Sequence, residues 1–428
     1  MSQRLDVIIF GATGFTGQRI IPYLKDLGSK EETPVTWGVA ARSETKLRDV
    51  LKIIESKTGD NYDSIPIIIA DVNDEDSLKQ MASRAKVIIN ATGPYRFYGE
   101  AVIKACVENG TNYIDVSGEP QFMEMMQLKY HEAALEKNVY LVSACGFDSI
   151  PADLGLVFLQ KKFQGTLNSV ESYLYAEVEG NHDGASGFYT TWESAVYGLA
   201  HAHELRSIRG KLYPNKLPDL KPRLRPRGNY FKSETLNKWC IPFIGADRSV
   251  MLRTQRFFYE KNNQRPAQVQ AYIGFKSLYI FLLFLFYGLI FKLFCKFAFT
   301  RNLLLKNPKL FSNGLFDKNG PPDEKQKDTS FYILFVCEGW SETQSNPTDQ
   351  FTTKPNKKVI GKVSGRNPGY GLTCAAAALS ALTILKESDK MPETGGCYPP
   401  GAAFAQTSLI EKLNENGLKF EVVSESTS

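Results

Sequence analysis

The segment GATGFTG at residues 11–17 constrains the fold of this chain more than any other stretch. The apolar run LDVIIF at residues 5–10 precedes it directly, and a helix-forming stretch follows it. Strand, glycine turn and helix in this order form the loop that holds the pyrophosphate of a dinucleotide. Gly11 permits the turn, Gly14 lets the backbone approach the phosphates, and Gly17 allows the helix to pack closely on the strand. The phosphates would lie at the positive end of that helix.

Strands and helices alternate through the first 150 residues. Each predicted strand is a short, nearly continuous apolar run, which is typical of a parallel sheet covered by helices on both faces. The sequence therefore predicts an α/β fold whose residues 1–150 form a Rossmann domain with a doubly wound parallel sheet. The predicted strands span residues 5–10, 36–41, 65–70, 86–91, 112–116 and 139–143, and the predicted helices span residues 18–27, 44–54, 74–83, 99–108 and 119–136.

The pattern becomes less regular after residue 150. We expect residues 151–365 to form a second, α+β domain with a mainly antiparallel sheet, which would supply substrate contacts and a dimer surface. Residues 366–428 form a C-terminal segment, and its Ala-rich helix suits close packing back onto the Rossmann domain. Strands are predicted at residues 169–179, 268–273 and 331–336, a helix at residues 190–206, and loops at residues 313–328 and 341–355.

The residues after the second strand discriminate between the two nicotinamide cofactors. NAD-binding domains place an acidic residue there to bind the ribose 2′-hydroxyl, whereas this chain has Arg42 and Ser43. An arginine can face a 2′-phosphate, although a solvated arginine at a helix start would give the same pattern. The sequence thus favours NADP over NAD, with Asp71 at the adenine and Asn90 beside the nicotinamide ribose. The residues predicted to bind the cofactor are Gly11, Thr13, Gly14, Phe15, Thr16, Gly17, Arg42, Ser43, Asp71, Asn90, Thr92 and Gly93.

Four residues at the carboxyl ends of predicted strands are candidates for acid–base chemistry, namely Tyr95, Asp115, Glu119 and Asp148. A carboxyl group there can exchange a proton if burial raises its pKa. Asp115 and Glu119 could equally cap the helix that begins near Pro120. The Tyr-x-x-x-Lys spacing that would polarise a carbonyl is missing from residues 1–150, so the catalytic residues stay unassigned.

Cysteine and histidine usage argues against disulfides and against a metal site. The seven cysteines are scattered without a Cys-x-x-Cys pair, and only four histidines occur. Cys145 follows a predicted strand with no histidine near it in sequence, so we expect an inert thiol. The chain enters its first strand directly, without a signal peptide, which favours the cytosol.

Residues 277–299 form the segment that departs most from a soluble enzyme. Its first 15 residues, SLYIFLLFLFYGLIF, carry no charge, and Lys292 and Lys296 interrupt the rest. A spanning helix needs about 20 apolar residues, so shallow insertion into a membrane leaflet or a lipid-droplet monolayer is favoured. Residues 206–265 hold 15 Lys and Arg against 4 Asp and Glu, a net charge of +11 in a chain of +5.

An anionic lipid surface attracts a basic stretch that adjoins an apolar one. The sequence therefore predicts a lipid surface as a partner, and a buried helix beside a solvated basic loop is the alternative. Nucleic acid is not expected as a partner, because no nucleic-acid motif accompanies the basic residues.

Several motifs together resemble those of the saccharopine dehydrogenase-like oxidoreductase family, which is related to bacterial trans-acting enoyl reductases. They are GATGFTG, AARS, NATGPY, YIDVSGE, CGFDSIPAD and, near the C-terminus, GGCYPPGAA. The resemblance spans nearly the whole chain. It implies an NAD(P)-type Rossmann fold and an association with lipid metabolism and lipid droplets, but it implies no particular substrate.

Two functions from different classes fit these observations. The first is an NADP-dependent oxidoreductase that acts on an apolar or lipid-linked substrate at the cytosolic face of a lipid droplet or membrane, with a mitochondrial location left open. The second is a non-catalytic, nucleotide-binding scaffold at the same surface. The intact glycine loop favours the first, and the lack of a recognisable acid–base pair favours the second. A homodimer is a further expectation.

Overall fold

The computed structural model describes residues 3–344 and 346–428, whose strands form two seven-stranded sheets and one two-stranded sheet. The strands are β1 (Leu5–Phe10), β2 (Trp37–Ala41), β3 (Ile67–Ile69), β4 (Ala85–Asn90), β5 (Asn112–Asp115), β6 (Tyr140–Val142), β7 (Thr166–Val178), β8 (Gly187–Phe188), β9 (Phe231–Ser233), β10 (Lys238–Pro242), β11 (Gln268–Phe275), β12 (Phe316–Asp317), β13 (Thr329–Trp340), β14 (Lys357–Arg366), β15 (Gly396–Tyr398) and β16 (Leu418–Thr427).

Helices connect and cover the sheets. They are α1 (Gly17–Ser29), α2 (Glu44–Thr58), α3 (Glu75–Ser83), α4 (Tyr95–Glu108), α5 (Pro120–Glu136), α6 (Ile150–Lys162), α7 (Tyr189–Ala200), α8 (Glu204–Leu212), α9 (Asp247–Asn262), α10 (Leu278–Phe294), α11 (Ala298–Lys306), α12 (Pro308–Phe311), α13 (Asp323–Lys327), α14 (Thr373–Glu387), α15 (Pro400–Ala403) and α16 (Leu409–Glu415). A π-helical turn, Pro368–Leu372, leads into α14, and a 3-10 turn, Ser388–Lys390, follows it.

The first sheet has the order β15-β6-β5-β4-β1-β2-β3, and all of its strands run parallel. Its strands are apolar on both faces because helices cover both, and Val7, Ile8 and Ile9 of β1 are completely buried. The strand order reverses between β1 and β4, so the crevice at their carboxyl ends is the expected ligand site. The prediction of an N-terminal Rossmann sheet is confirmed.

The second sheet has the order β16-β14-β13-β7-β11-β10-β9 and is antiparallel apart from the β7–β11 pair. Its central strand, β7, has 13 residues, and the first ten of them are buried. The prediction of a second, mainly antiparallel sheet is also confirmed.

The structure differs from the sequence prediction in several places, and the helix predicted at residues 190–206 is two helices, α7 and α8. The C-terminal segment is divided between the sheets, because β15 pairs with β6 and β16 pairs with β14. β15 is only three residues long, so local periodicity could not reveal it. Residues 313–328, predicted as loop, contain β12 and α13. Helix α4 begins at Tyr95, four residues before the predicted start. The carboxylate of Glu119 accepts hydrogen bonds from the first two amides of this helix.

Helix α14 is the central helix of the molecule. Nearly all its residues are buried, and small alanine side chains let it pack against α1 and β4. Within the described part of the chain, the stretch Pro368–Lys390 is the one helix long and apolar enough to cross a membrane. Because 83% of its most apolar window is buried inside the protein, we interpret it as a core helix.

Glu387, at the end of α14, connects this helix to α16. Its carboxylate accepts hydrogen bonds from the amide (2.9 Å) and the hydroxyl of Ser408. It also pairs with the ammonium groups of Lys390 at 3.1 Å and Lys412 at 3.3 Å. Although burial opposes ionisation, these donors lower the pKa of Glu387 to about 2. The ionised carboxylate therefore stabilises the fold above its ordinary pKa.

We predict that Glu387→Gln lowers the free energy of unfolding at pH 7 by about 1–3 kcal/mol, because the amide loses charge-assisted hydrogen bonds. The depressed pKa confines this contribution to pH values above the folded pKa, so the difference from wild type should shrink as pH falls from about 4.5 towards 2. Urea unfolding at several pH values measures it. Glu415→Gln, an exposed change in α16, should be nearly neutral, and equal stability of both variants at pH 7 would contradict the assignment.

Candidate functional site

The glycine loop at the end of β1 has the geometry that a pyrophosphate requires. Gly11 has a φ of +80°, which disfavours any residue with a side chain. A Cβ on Gly17 would lie 2.2 Å from the carbonyl oxygen of Gly11, so α1 can approach β1 only because this residue is glycine. Among the described residues, the amides of Thr13, Phe15 and Thr16 donate to no backbone or side-chain acceptor. Unpaired amides at a helix N-terminus bind phosphate oxygens, so the loop fits a dinucleotide.

The side chain of Phe15 has a structural role. Its ring stacks on Phe188 at 4.5 Å and contacts the edge of Tyr370 at 4.7 Å. The guanidinium of Arg19 lies 3.7 Å above the same ring and pairs with Asp323 at 3.0 Å. Residues beyond the Rossmann domain thus hold the loop, and Phe15 can offer only its backbone amide to a cofactor.

The adenine side of the crevice contains Arg42, Ser43 and Asp71. Arg42 is exposed at the end of β2 and makes no ion pair with any described residue, so its guanidinium is available. The hydroxyl of Ser43 accepts the amide of Lys46 at 3.3 Å and caps α2. One oxygen of Asp71 accepts the amide of Asn73 at 2.9 Å, so Asp71 also shapes the turn before α3.

Asn90 and Thr92 lie on the nicotinamide side, at the end of β4. Asn90 is completely buried, and its amide group donates to the hydroxyl of Tyr113 at 3.1 Å. The side-chain oxygen of Asn90 accepts the amide of Thr92 at 3.1 Å, as well as its hydroxyl. Asn90 therefore shapes the crevice wall, while Thr92 and Gly93 face the space beyond it. A Cβ at Gly93 would lie 3.2 Å from Cγ2 of Thr190, which brings α7 to this edge.

Asp115 has a structural role at the ends of the strands. Its carboxylate accepts hydrogen bonds from four donors in the strand ends, and burial raises its pKa to about 6. Because it is fully buried and every donor comes from the protein, it cannot reach a substrate, and it does not cap α5 as the sequence allowed. The donors are the hydroxyl of Tyr113 at 2.8 Å, the hydroxyl of Ser143 at 2.9 Å, and the amides of Ser117 at 2.9 Å and Ala144 at 3.0 Å.

Glu119 caps a different helix from the one predicted. It precedes α5, but its carboxylate accepts the first two amides of α4, from Tyr95 at 2.8 Å and Arg96 at 3.1 Å. The hydroxyl of Ser194 donates to it at 2.9 Å. Sequence spacing pointed to the nearest helix start, whereas the parallel strand order brings β5 and β4 together at one edge.

Tyr95 and Cys145 are not available for chemistry. The hydroxyl of Tyr95 donates to the carbonyl of Asn90 at 3.0 Å, and burial raises its pKa well above the ordinary value. Burial also raises the pKa of the Cys145 thiol, which fits the expected inert cysteine. The described residues contain no group of three His, Cys, Asp or Glu side chains able to hold a metal ion.

Two acidic residues remain at the crevice, Asp148 and Glu193. Asp148 follows β6 and is half-buried, and burial raises its pKa to about 7. Glu193 was not predicted from the sequence. It lies on the α7 face that carries Thr190 and Ser194, and burial followed by the charge of Glu119 raises its pKa. The spacing of residues 190, 193, 194 and 197 on one helix face was the available signal.

Comparison with known proteins agrees with this geometry. The model of the saccharopine dehydrogenase NADP binding domain matches residues 7–142. The saccharopine dehydrogenase-like oxidoreductase of Homo sapiens is 41% identical over 424 residues, which cover 98% of this chain and 97% of the human protein. The chain belongs to the saccharopine dehydrogenase-like oxidoreductase family. Its resemblance to that family, inferred from the sequence motifs, is thereby confirmed.

Two further comparisons concern location and fold. The lipid droplet localized protein of Caenorhabditis elegans is 39% identical over 427 residues, with 99% of each chain covered. The solved structure of saccharopine dehydrogenase (L-Glu forming) from Saccharomyces cerevisiae has a TM-score of 0.54 at 12% identity, covering 98% of this chain and 100% of that chain. The yeast structure thus shares the fold of this family member.

In this family member, the apolar segment forms an exposed helix. Leu282, Phe286 and Leu289 of α10 are 54%, 58% and 59% exposed, whereas Phe281 is the only buried residue of the helix, at 3%. The buried-helix alternative for residues 277–299 is therefore wrong. We define the apolar surface patch as Leu278, Tyr279, Leu282, Phe286, Leu289, Leu293, Phe297 and Phe299, all large apolar side chains exposed to solvent.

The apolar patch is connected to the crevice through α7. Trp192, which is buried, donates from its indole nitrogen to the carbonyl of Leu304 in α11 at 2.9 Å. Its ring lies 4.9 Å from that of Phe291 in α10. The opposite face of α7 carries Thr190 and Ser194 at the crevice, so one helix lies between the apolar patch and the nicotinamide side.

The basic stretch at residues 206–265 is less available than its net charge suggested. Arg209 forms a two-point ion pair with buried Glu124, and Arg227 does the same with Glu171. Arg253 is itself buried. The stretch therefore does not form one solvated patch, although Tyr230 and Trp239 from it contact Phe281 at the start of α10.

The Glu119 cap gives a direct test of its structural role. We predict that Glu119→Gln destabilises the protein by about 1–3 kcal/mol, because the amide nitrogen would face one of the three donors that the carboxylate accepts. Thermal or urea unfolding measures this. Glu100→Gln, which removes the exposed pair with Lys129 at 2.9 Å and leaves an oxygen to accept the Tyr130 hydroxyl, should change stability by less than about 0.5 kcal/mol. Equal effects of the two changes would count against the cap.

Proposed function

We propose that this protein is an NADPH-dependent reductase that takes an apolar or lipid-linked substrate from the cytosolic surface of a lipid droplet or membrane. The observation that carries the proposal is the placement of α7. One face of this helix packs under the exposed apolar patch through Trp192, and the other lines the nicotinamide side of the crevice. A substrate anchored in lipid would thus meet the crevice at the edge nearest the patch.

The free energy of lipid contact would come mainly from apolar burial. Each Leu or Phe side chain transferred from water into an apolar phase gains about 1.5–3 kcal/mol. The patch contains eight large side chains on α10 and the start of α11. Many arginines of the basic stretch are already paired or buried, so attraction to anionic lipid adds less than the sequence suggested. Such an interaction suits the weakly charged monolayer of a lipid droplet.

The chain's own residues account for cofactor binding and orientation. The amides of Thr13, Phe15 and Thr16 would bind the pyrophosphate at the positive end of α1. Arg42 would pair with the 2′-phosphate, and Thr92 would contact the nicotinamide ribose. The bound cofactor would supply the hydride. Asn90, Asp115 and their hydrogen-bonded partners keep the crevice wall rigid.

We predict that the purified protein binds NADPH more tightly than NADH, and that Arg42→Ala removes the preference. A charge-assisted contact to the 2′-phosphate contributes about 1.5–3 kcal/mol, so NADPH affinity should fall about 10–150-fold while NADH affinity stays unchanged. Fluorescence titration of both cofactors measures this. Arg48→Ala is the matched control, since Arg48 is an exposed arginine of α2 that pairs with Glu44 at 2.6 Å. Retained preference in Arg42→Ala would contradict the role.

We predict that Leu282→Asp, Phe286→Asp and Leu289→Asp, combined in one variant, release the protein from lipid droplets. These side chains are exposed, so the fold should persist, whereas a change at buried Phe281 would damage it. Flotation of lipid-loaded cell extracts measures the distribution, with the mitochondrial fraction collected as well. A control variant with Ser56→Asp, Gln80→Asp and Ser83→Asp adds the same charge at exposed positions of α2 and α3. If both variants float like wild type, the patch does not contact lipid.

Turnover separates the reductase from a nucleotide-binding scaffold. NADPH oxidation is followed with purified protein and emulsified neutral lipid extracted from lipid droplets. If the protein is a reductase, NADPH oxidation should depend on the added lipid. The triple α10 variant should lose this oxidation while still binding NADPH. Tight NADPH binding without oxidation by any extract would favour the scaffold.

A further inference from the structure

Asp148 lies in a slot formed by two glycines. A Cβ at Gly118, which follows β5, would lie 2.6 Å from Oδ2 of Asp148, and one at Gly245, which precedes α9, would lie 2.7 Å from Oδ1. Any side chain at either position would displace the carboxyl group. Gly118 follows β5 and Asp148 follows β6, so the slot lies at the carboxyl edge of the first sheet, and Asp148 is partly exposed.

Asp247 lies behind Asp148 as the first residue of α9. It is only 4% exposed, and its Oδ1 atom has no hydrogen-bond partner among the described residues. Burial, then the charge of Asp148, then that of Asp153 raise the pKa of Asp247 well above its ordinary value. A buried carboxyl oxygen without a partner is costly and calls for a functional explanation.

The surrounding charges do not compensate the pair. Asp153, on α6, accepts the hydroxyl of Thr254 at 2.8 Å and the amide of Gly401 at 2.7 Å. The nearby guanidinium of Arg253 favours ionisation of Asp153. In the described part of the chain, no lysine or arginine forms a salt bridge with Asp148 or Asp247. A half-buried and a buried carboxyl group that interact without a cation disfavour a second negative charge, so we infer that the pair retains a proton at neutral pH.

We propose that Asp148 is the general acid of the reductase and that Asp247 is a positioning residue that keeps the proton on the pair. The proposal rests on the proposed function. It places the substrate carbonyl between the nicotinamide side of the crevice and the slot formed by Gly118 and Gly245. The substrate class is then an apolar molecule bearing an aldehyde or ketone.

The chemical step balances with the groups named. The substrate carbon accepts a hydride as NADPH is oxidised to NADP⁺, and the carbonyl π bond breaks. The oxygen accepts the proton that leaves Asp148, so one C–H and one O–H bond form. The pair is then one proton short and regains it from solvent through the exposed part of Asp148. Proton donation by a positioned group contributes about 10²–10⁴-fold to the rate.

The first test measures protonation in the cofactor-free protein. Infrared spectra across pH record the carbonyl stretch of protonated carboxyl groups. We expect a band that persists at pH 7 and weakens in Asp148→Asn and in Asp247→Asn, because burial raises the pKa of both carboxyl groups. Asp49→Asn, a change at an exposed position of α2, is the control and should leave the band unchanged. A band unchanged in both pair variants overturns the proposal.

The second test measures turnover, with decanal in detergent micelles and emulsified droplet lipid as probes. Asp148→Asn should lower kcat about 10²–10⁴-fold while the Kd for NADPH changes less than about twofold. Asp247→Asn should shift the pH profile of kcat to lower pH, because an amide cannot place a second negative charge beside Asp148. If Asp148→Asn retains turnover, or if only Glu193→Gln loses it, Asp148 is not the general acid, and the proposed reductase function is unaffected. Absence of wild-type turnover with both probes overturns the proposed function together with the acid role.

Discussion

The close approach of α1 to the end of β1 is the constraint on which the crevice depends. Because a Cβ at Gly17 would lie 2.2 Å from the carbonyl oxygen of Gly11, the loop between them has one accessible shape. That shape leaves its amides directed at a single place, where an anion can bind. The ring of Phe15 packs on Phe188 and Tyr370, which tie the loop to segments far along the chain. Segments distant in sequence therefore hold the loop in place.

Local patterns predicted the strands and helices of the N-terminal sheet, but not the short strands β12 and β15 or the partners of polar side chains. Apolar runs and the Ser43 cap follow from residues a few positions apart, so the Rossmann sheet and α2 could be predicted. Glu119 binds the first amides of α4, a helix that precedes it in the chain, because parallel strands gather their carboxyl ends at one edge. The interaction of Asp247 with Asp148 likewise depends on α9, which packs there from a distant part of the chain. No local signal encodes such contacts.

The large apolar side chains on the exposed face of α10 are not covered by any other described part of the fold. Large apolar side chains in water cost free energy, and a contiguous patch of them marks a surface that something covers. The sequence shows that residues 277–299 form a long apolar segment. It does not show that their side chains are exposed, because a core helix has the same composition. Helix α14 illustrates the difference, because it is also long and apolar but is enclosed on all sides. Packing, rather than hydropathy, distinguishes the two helices.

Availability, rather than burial, distinguishes the acids at the crevice. Burial raises the pKa of both Asp115 and Asp148, to about 6 and about 7. Asp115 accepts four hydrogen bonds from the strand ends, so its oxygens are fully engaged and its loss would disturb the sheet. Asp148 instead lies between two glycines, keeps some exposed surface and has Asp247 behind it with a free oxygen. Neither a paired cation nor a full set of hydrogen-bond donors opposes a proton on this pair. Asp115 and Asp148 were both candidates for acid–base chemistry from the sequence. Their surroundings give Asp115 a structural role, whereas our proposal gives Asp148 the catalytic one.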